Sequence, residues 1–301
     1  MIFKRGILFF CFISLCIAGL SAEEAKPIES DQQINDFSLT GFAEKGKKDW
    51  DISGKSADIF TEVVKLKDVV GNLYGEKENI KLTADRGDFN KNDGKVRLED
   101  NVVITTSSGA KLTTESLDWD RKNQLVSTQD VVNINKENIV TTAQGAVGKP
   151  DLNKITLQKD VKVDINPGAE GSQGADAKNK ITITCDGPLE IDYRDNVATF
   201  KNNVKVDNQG SLIFSDTMDV YFVRSGKDAP APDSGAAVLG SKIEKIIARG
   251  NVKIVRGENI SYSDEAIYSE LDKKIILKGQ PRLVIYSTED LNASFGNQRT
   301  L

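Results

Sequence analysis

The stretch that decides the fold is Lys154-Ile155-Thr156-Leu157-Gln158-Lys159-Asp160-Val161-Lys162-Val163-Asp164-Ile165. Apolar residues stand at 155 and 157, then at 161, 163 and 165, with polar residues at nearly every position between. Alternation with a period of two is the mark of a β-strand, whose successive side chains leave opposite faces. The break at Gln158-Lys159-Asp160 reads as a polar corner, because Asp and Asn tolerate turn backbones and Lys keeps strand edges hydrated. One face of this segment requires an apolar interior and the other requires water.

The same phrase recurs along the chain. Val96-Arg97-Leu98, the corner Glu99-Asp100-Asn101 and Val102-Val103-Ile104 form one copy. Leu125-Val126, Gln129-Asp130 and Val132-Asn133-Ile134 form another. Phe200, Asn202-Asn203 and Val204-Lys205-Val206 follow, then Ile246-Ile247-Ala248, Gly250-Asn251 and Val252-Lys253-Ile254. The last copy is Ile275-Ile276-Leu277, Lys278-Gly279 and Pro281. Val102, Val132 and Val161 are about 30 residues apart, whereas Val204 and Val252 follow after 43 and 48. Two inserts account for the excess: a Gly/Ala/Asn-rich run from Pro167 to Lys180, and Gly226 to Ser241 with Pro230 and Pro232. Repetition at this period means stacked β units, since one unit cannot bury its own apolar face. Pro281 occupies the valine slot of the last copy; proline cannot donate to a ladder, which places that strand at or near an edge.

Composition narrows the function. Of 301 residues, 39% are apolar and 28% charged, within the range of globular proteins. There is no histidine, which removes the commonest general base and metal ligand. Cys185 is the one cysteine outside the N-terminal apolar run, so the body holds neither an internal disulfide nor a cysteine-rich metal site. No phosphate-cradling glycine loop or nucleophile elbow occurs. The carboxylates beside the corners, Asp100, Asp130 and Asp160, read as turn residues. The chain is expected to be no enzyme and to need no cofactor. The aromatics Phe89, Trp119, Tyr193 and Tyr268 each precede a turn, and Lys273, Lys274, Lys278 and Arg282 form a basic group near the end.

Lys4 and Arg5 precede an apolar run from Ile7 to Leu20, followed by small residues and Glu23-Glu24. Residues 1–22 therefore read as a secretory signal peptide or a short membrane anchor, and the body is expected in the periplasm, exported and free or held at the inner membrane. Removing Lys4 and Arg5 takes the formal charge from −5 to −7. Such a body is a poor partner for nucleic acid, and an anionic ligand must be held by apolar contact or local basic groups.

These residues together resemble the OstA-type lipopolysaccharide-transport proteins, the LptC and LptA group. Trp50-Asp51-Ile52, Ala57, Leu82-Thr83-Ala84-Asp85 and Gln144-Gly145 look like the LptC type. Ser263-Asp264-Glu265-Ala266-Ile267-Tyr268 and Leu277-Lys278-Gly279-Gln280-Pro281 look like the LptA type. The resemblance covers nearly the whole exported chain and rests on order and repetition more than on any one motif. It implies an all-β fold, an antiparallel β-jellyroll, present as two tandem jellyrolls or one extended one. The expected layout is a flexible leader over 23–36, a first jellyroll over 37–167, a linker over 168–180 and a second jellyroll over 181–301.

The resemblance also implies a cargo, lipopolysaccharide, whose lipid A acyl chains would lie between the sheets. The implied partners are other jellyroll proteins of the export bridge, joined by strand addition at sheet edges, and the inner-membrane export transporter. Candidate lipid-facing residues are Val96, Leu98, Val102, Ile104, Leu112, Val132, Ile134, Ile155, Leu157, Val161 and Val163. In the second half they are Val204, Val206, Phe214, Ile246, Val252, Ile254, Ile260, Tyr262, Ile275 and Leu277. A filled sandwich would show the same alternation. The rival is a structural or adhesive β-solenoid at the cell surface. A carbohydrate-active protein would need a placed carboxylate pair that the chain does not display.

Overall fold

The computed structural model describes residues 31–42, 46–75, 79–120, 122–123, 125–149, 154–166, 180–223 and 243–286. The N-terminal apolar segment, most of the expected leader and both low-complexity inserts lie outside the described residues. Every regular element among them is a strand: β1 (Gln32–Phe42), β2 (Lys48–Ile59), β3 (Val63–Tyr74), β4 (Asn79–Asn90), β5 (Lys95–Thr106), β6 (Lys111–Asp120), β7 (Leu125–Lys136), β8 (Ile139–Lys149) and β9 (Lys154–Ile165). They continue as β10 (Ile181–Cys185), β11 (Leu189–Asp192), β12 (Val197–Asn208), β13 (Ser211–Phe222), β14 (Ile243–Arg256), β15 (Asn259–Ser269), β16 (Lys274–Lys278) and β17 (Arg282–Val284).

The strands run up and down beside their sequence neighbours, each pair antiparallel. From β1 to β9 every strand pairs with the next. β10 and β11 both lie between β9 and β12 and are two parts of one pass, interrupted at Asp186-Gly187-Pro188 with a cis Gly187-Pro188 bond. β12 to β15 continue the series, and β16 and β17 share the last edge against β15. The described strands thus form one unbroken antiparallel series. A β-solenoid stacks its strands in parallel, so this pairing corrects that alternative. Ile165 sits opposite Ile181, so the sheet continues on both sides of the Pro167–Lys180 insert.

The corners are not chain reversals. Lys154–Ile165 is one strand, bent at Asp160, whose φ is +50°. Positive φ recurs at Asp68, at Asp100 and Asn101, at Asn202 and Asn203, at Gly250 and Asn251, and at Gly279 and Gln280. These are Asp, Asn, Gly and Gln, three of the four being types that tolerate the left-handed region best. Pairing slips at the same places, between Glu99 and Val102, Lys201 and Val204, and Arg249 and Val252. Such bulges bend a strand and sharpen its twist. Side chains tie neighbouring corners together. Asn101 Nδ2 donates to Asp85 (2.6 Å), Ser116 Oγ to Asp130 (2.6 Å) and Asn251 Nδ2 to Asp216 (2.9 Å), while Asn203 donates to Asp186.

Each pass is therefore folded across its middle, and its two halves belong to two layers that share an inner face. The valines that follow the corners mark the bend: Val102 and Val132 are fully buried, and Val161, Val204 and Val252 nearly so. Each stands opposite a small residue of the next pass: Thr114, Ala143, Cys185, Ser215 and Ser263. A small partner leaves room where the two halves converge. Val69, with Ala84 opposite, is a sixth marker that the sequence reading passed over. The first strand also begins earlier than expected, at Gln32 inside the presumed leader. Gln33, Ile34 and Asn35 pair with Asp58, Ala57 and Ser56, and Asp36 supplies that strand's positive φ.

The core falls into two clusters. One gathers Ala57, Leu66, Val69, Ala84, Leu98, Val102 and Leu117. The larger runs from Val132 to Ala266 and joins strands from both sides of the insert.

Candidate lipid-binding trough

The registers carry rows of inner side chains across the series, two rows near the bend and one toward each rim. One rim row passes through Ile52, Gly71, Leu82, Ile104, Leu112, Ile134, Thr141, Val163, Ile183, Val206, Ile213 and Ile254. The opposite rim row passes through Val64, Phe89, Val96, Trp119, Val126, Gly148, Ile155, Ile191, Ala198, Val220, Ile246, Tyr268 and Ile275. Near the bend lie Leu98, Leu117, Leu157, Leu189, Phe200 and Met218, all buried.

Exposure along the rims divides the trough. Ile52, Leu82, Ile104, Leu112 and Ile134 on one side, and Val64, Phe89, Val96 and Val126 on the other, are half-buried; Trp119 is 36% exposed. Both rows close only across β10 to β12; the flanking strands β8, β9, β13 and β14 are buried on one rim, at Thr141, Val163, Val220 and Ile254, and half-buried on the other, at Gly148, Ile155, Ile213 and Ile246. Thr141 and Val163 are fully buried, and Ile183, Val206, Ile191, Ala198 and Val220 are all buried. A rim residue of one layer can be fully buried only when a second layer covers it. The trough is accordingly sealed in its middle and accessible along β2 to β7.

Most of the expected lipid-facing residues lie on this inner face. Leu98, Val102, Val132, Leu157, Val161, Val204 and Val252 lie beside the bend and are buried, with Leu277 half-buried opposite Ala266. Ile104, Leu112, Ile134, Val163, Val206 and Ile254 lie on one rim, and Val96, Ile155, Ile246 and Ile275 on the other. Three are corrected. Phe214 pairs with Lys205 and Lys253, Tyr262 with Lys253 and Arg282, and Ile260 with Val255 and Val284, all on the outer face. The inner positions there belong to Ile213, Ser215, Ser261 and Ser263. In Leu212-Ile213-Phe214 every residue is apolar, and Tyr262 stands between two serines, so apolarity alone picks the wrong parity. The reading also missed Leu189 and Ile191, although Leu189-Glu190-Ile191 alternates; the strand is too short for periodicity to stand out.

The inner face is almost uncharged. Lys136 is the one charged side chain among the described buried residues. The hydroxyls of Thr141, Ser215 and Ser263 are buried without a hydrogen-bond partner, isolated polar points on an apolar wall. Tyr193 closes the turn after β11 fully buried, and burial pushes its phenol above the ordinary range. Burial likewise raises the Cys185 thiol, which behaves as a small apolar group opposite Val161. Among the described residues no group of three or more His, Cys, Asp or Glu could hold a metal ion. Such a surface can accept hydrocarbon. Each buried methylene contributes about 0.8 kcal/mol.

Residues 6–166 match the family model LptC, described as lipopolysaccharide-assembly, LptC-related. Residues 182–298 match the model described as LptA/(LptD N-terminal domain) LPS transport protein. No curated protein matches the chain.

Proposed function

Since the chain belongs to the LptC-related family of lipopolysaccharide-assembly proteins and so takes part in lipopolysaccharide transport, we propose that it is a carrier segment of a bridge between the inner and outer membranes. Proteins of these families are non-enzymatic, bind lipopolysaccharide, interact with other Lpt proteins, and are periplasmic or inner-membrane associated. In this reading the acyl chains of lipid A lie along the inner face and enter where the rims are accessible. The observation that carries the proposal is the uncharged, half-exposed wall of β2 to β7, ending at a sealed middle. We read the LptC-like and LptA-like parts as one extended jellyroll, because the strands pair across residues 166–180. The edges are the docking sites. Among the described residues β1 and the β16/β17 pass each pair on one side only and carry exposed apolar residues, among them Leu39, Phe42 and Leu283. Unpaired strands invite addition of a further strand.

The test is light-activated crosslinking in cells. A photoreactive side chain at Ile104 or Leu112 should capture lipopolysaccharide, and one at Val103, on the outer face of the same strand, should not. Equal capture from all three positions, or none from Ile104 and Leu112 in folded protein, overturns the proposal. These rim positions are better probes than Val161, which is too deeply buried to be replaced by a bulky group.

A further inference from the structure

The outer face is not uniform. In the first half the outer row beyond the bend reads Ser53, Val70, Thr83, Val103, Thr113 and Asn133 from β2 to β7, without one charge. Across β12 to β17 the equivalent row reads Lys205, Phe214, Lys253, Tyr262 and Arg282. Cations and rings alternate pass by pass. Lys253 Nζ lies 5.9 Å from the Phe214 ring centre and the Arg282 guanidinium 5.5 Å from that of Tyr262. Among the described residues, Lys205, Lys253 and Arg282 form no ion pair, whereas Lys162, next along the row past Thr184, is held by Asp164 at 3.0 Å. One pleat further out the row starts with Asp207 on β12 and continues as Leu212, Val255, Ile260 and Val284, adjacent in register, so its aliphatic part spans β13 to β17. The matching first-half positions hold Asn72, Lys81, Thr105 and Lys111.

We propose that this outer face of β12 to β17 rests on an anionic lipid bilayer, its aliphatic row against the acyl boundary and its cation–ring row at the phosphates. The choice follows from charge and layering. The chain as a whole is acidic, at −5, so three unpaired cations in one row have no global cause. Rings and cations at one depth beside aliphatics at the next is the arrangement of a membrane interface. Cation–ring pairs keep the cations beside the rings without neutralising them. Near an anionic leaflet each Lys or Arg contributes about fivefold in partition. This surface is separate from the trough and stands whether or not the trough carries lipid.

The test uses the full chain with vesicles of phosphatidylcholine, with or without phosphatidylglycerol, and reads acetylation of individual lysines by mass spectrometry. Lys4 and Arg5 beside the N-terminal apolar segment also favour anionic vesicles, so Lys81 and Lys111 on the same chain are the control for recruitment through that segment. Lys205 and Lys253 should be acetylated about fivefold or more slowly with anionic vesicles than with neutral ones. Lys81 and Lys111 should not change. The double variant Tyr262→Ser/Arg282→Glu, checked for unchanged thermal unfolding, should lose the protection. Equal protection by neutral vesicles, equal protection of Lys81 and Lys111, or full protection in the double variant overturns the proposal. So does protection without vesicles, whether by inorganic phosphate or by raising the protein concentration, which would mean a phosphate site or self-association.

Discussion

The division between a sealed middle and an accessible flank makes a quantitative prediction from two leucines. Leu157 is fully buried, between Ala146 and Leu189 on the neighbouring passes. Leu112 is half-buried on the rim, between Ile104 and Ile134. Truncation to alanine removes the same atoms at both sites. At about 0.8 kcal/mol per methylene-sized group, the transfer loss at Leu157 is roughly 2.4 kcal/mol. A cavity adds to it, because packed neighbours relax only in part, and the total reaches about 3–5 kcal/mol. At Leu112 much of the side chain already meets water and solvent fills the space, so the loss is about 1 kcal/mol. For a domain of this scale each kcal/mol lowers the melting temperature by roughly 2–4 °C. Leu157→Ala should then melt about 10 °C below the parent and Leu112→Ala only about 3 °C below it. Calorimetry or circular dichroism melts on ligand-free protein provide the comparison. Equal losses at the two positions would refute the reasoning, since the middle would then be no better packed than the flank.

Three further outcomes follow from local geometry. Asp51 accepts hydrogen bonds from Lys48 (2.6 Å), Asn72 (2.8 Å) and Tyr74 (2.7 Å), with Lys48 the largest influence, and these hold its carboxyl down to about 2. A depressed carboxyl stabilises the fold above its unfolded value of 3.8, and the contribution is lost as pH falls toward 2; carbon-detected titration should show that midpoint, and Lys48→Met should raise it. Gly250 has a φ of +76°, and an added Cβ would collide with the Asp216 carboxylate, so Gly250→Ala should cost more stability than Gly257→Ala, whose site is open, by about 1 kcal/mol or more in urea unfolding. Cys185 is buried with a raised thiol, so a thiol reagent at neutral pH should label the peptide containing it only after denaturant is added, and rapid labelling of the native protein would contradict the packing at the bend.

Much of the fold was legible in the chain because its signal is local and repeated. The Val-x-Ile or Val-x-Val element after each Asp, Asn or Gly corner has the two-residue period of a strand and recurs too often to be accidental, and Val102, Val132, Val161, Val204 and Val252 all lie at the bend. Pro281 likewise foretold an edge, and it separates β16 from β17 on the last pass. What stayed hidden depends on neighbours. Phe214 and Tyr262 face outward because the β13 to β15 registers place Ile213, Ser261 and Ser263 inside, and a serine carries no apolar signal to announce that. Sealing of the middle depends on the second layer lying over Val163 and Ala198, and no single strand's pattern states what covers it. Val69 was overlooked because Val63, Val64 and Val70 around it blur the alternation.

Folding every pass across its own middle has a consequence for size. A closed barrel has a circumference set by its strand number, so adding strands changes its bore. Here an additional hairpin would widen nothing; it would lengthen the channel by two strand spacings, roughly 10 Å, and leave its cross-section as before. Reach and calibre are thus independent variables, and the length of this molecule can be altered by whole hairpins without rebuilding the wall they continue.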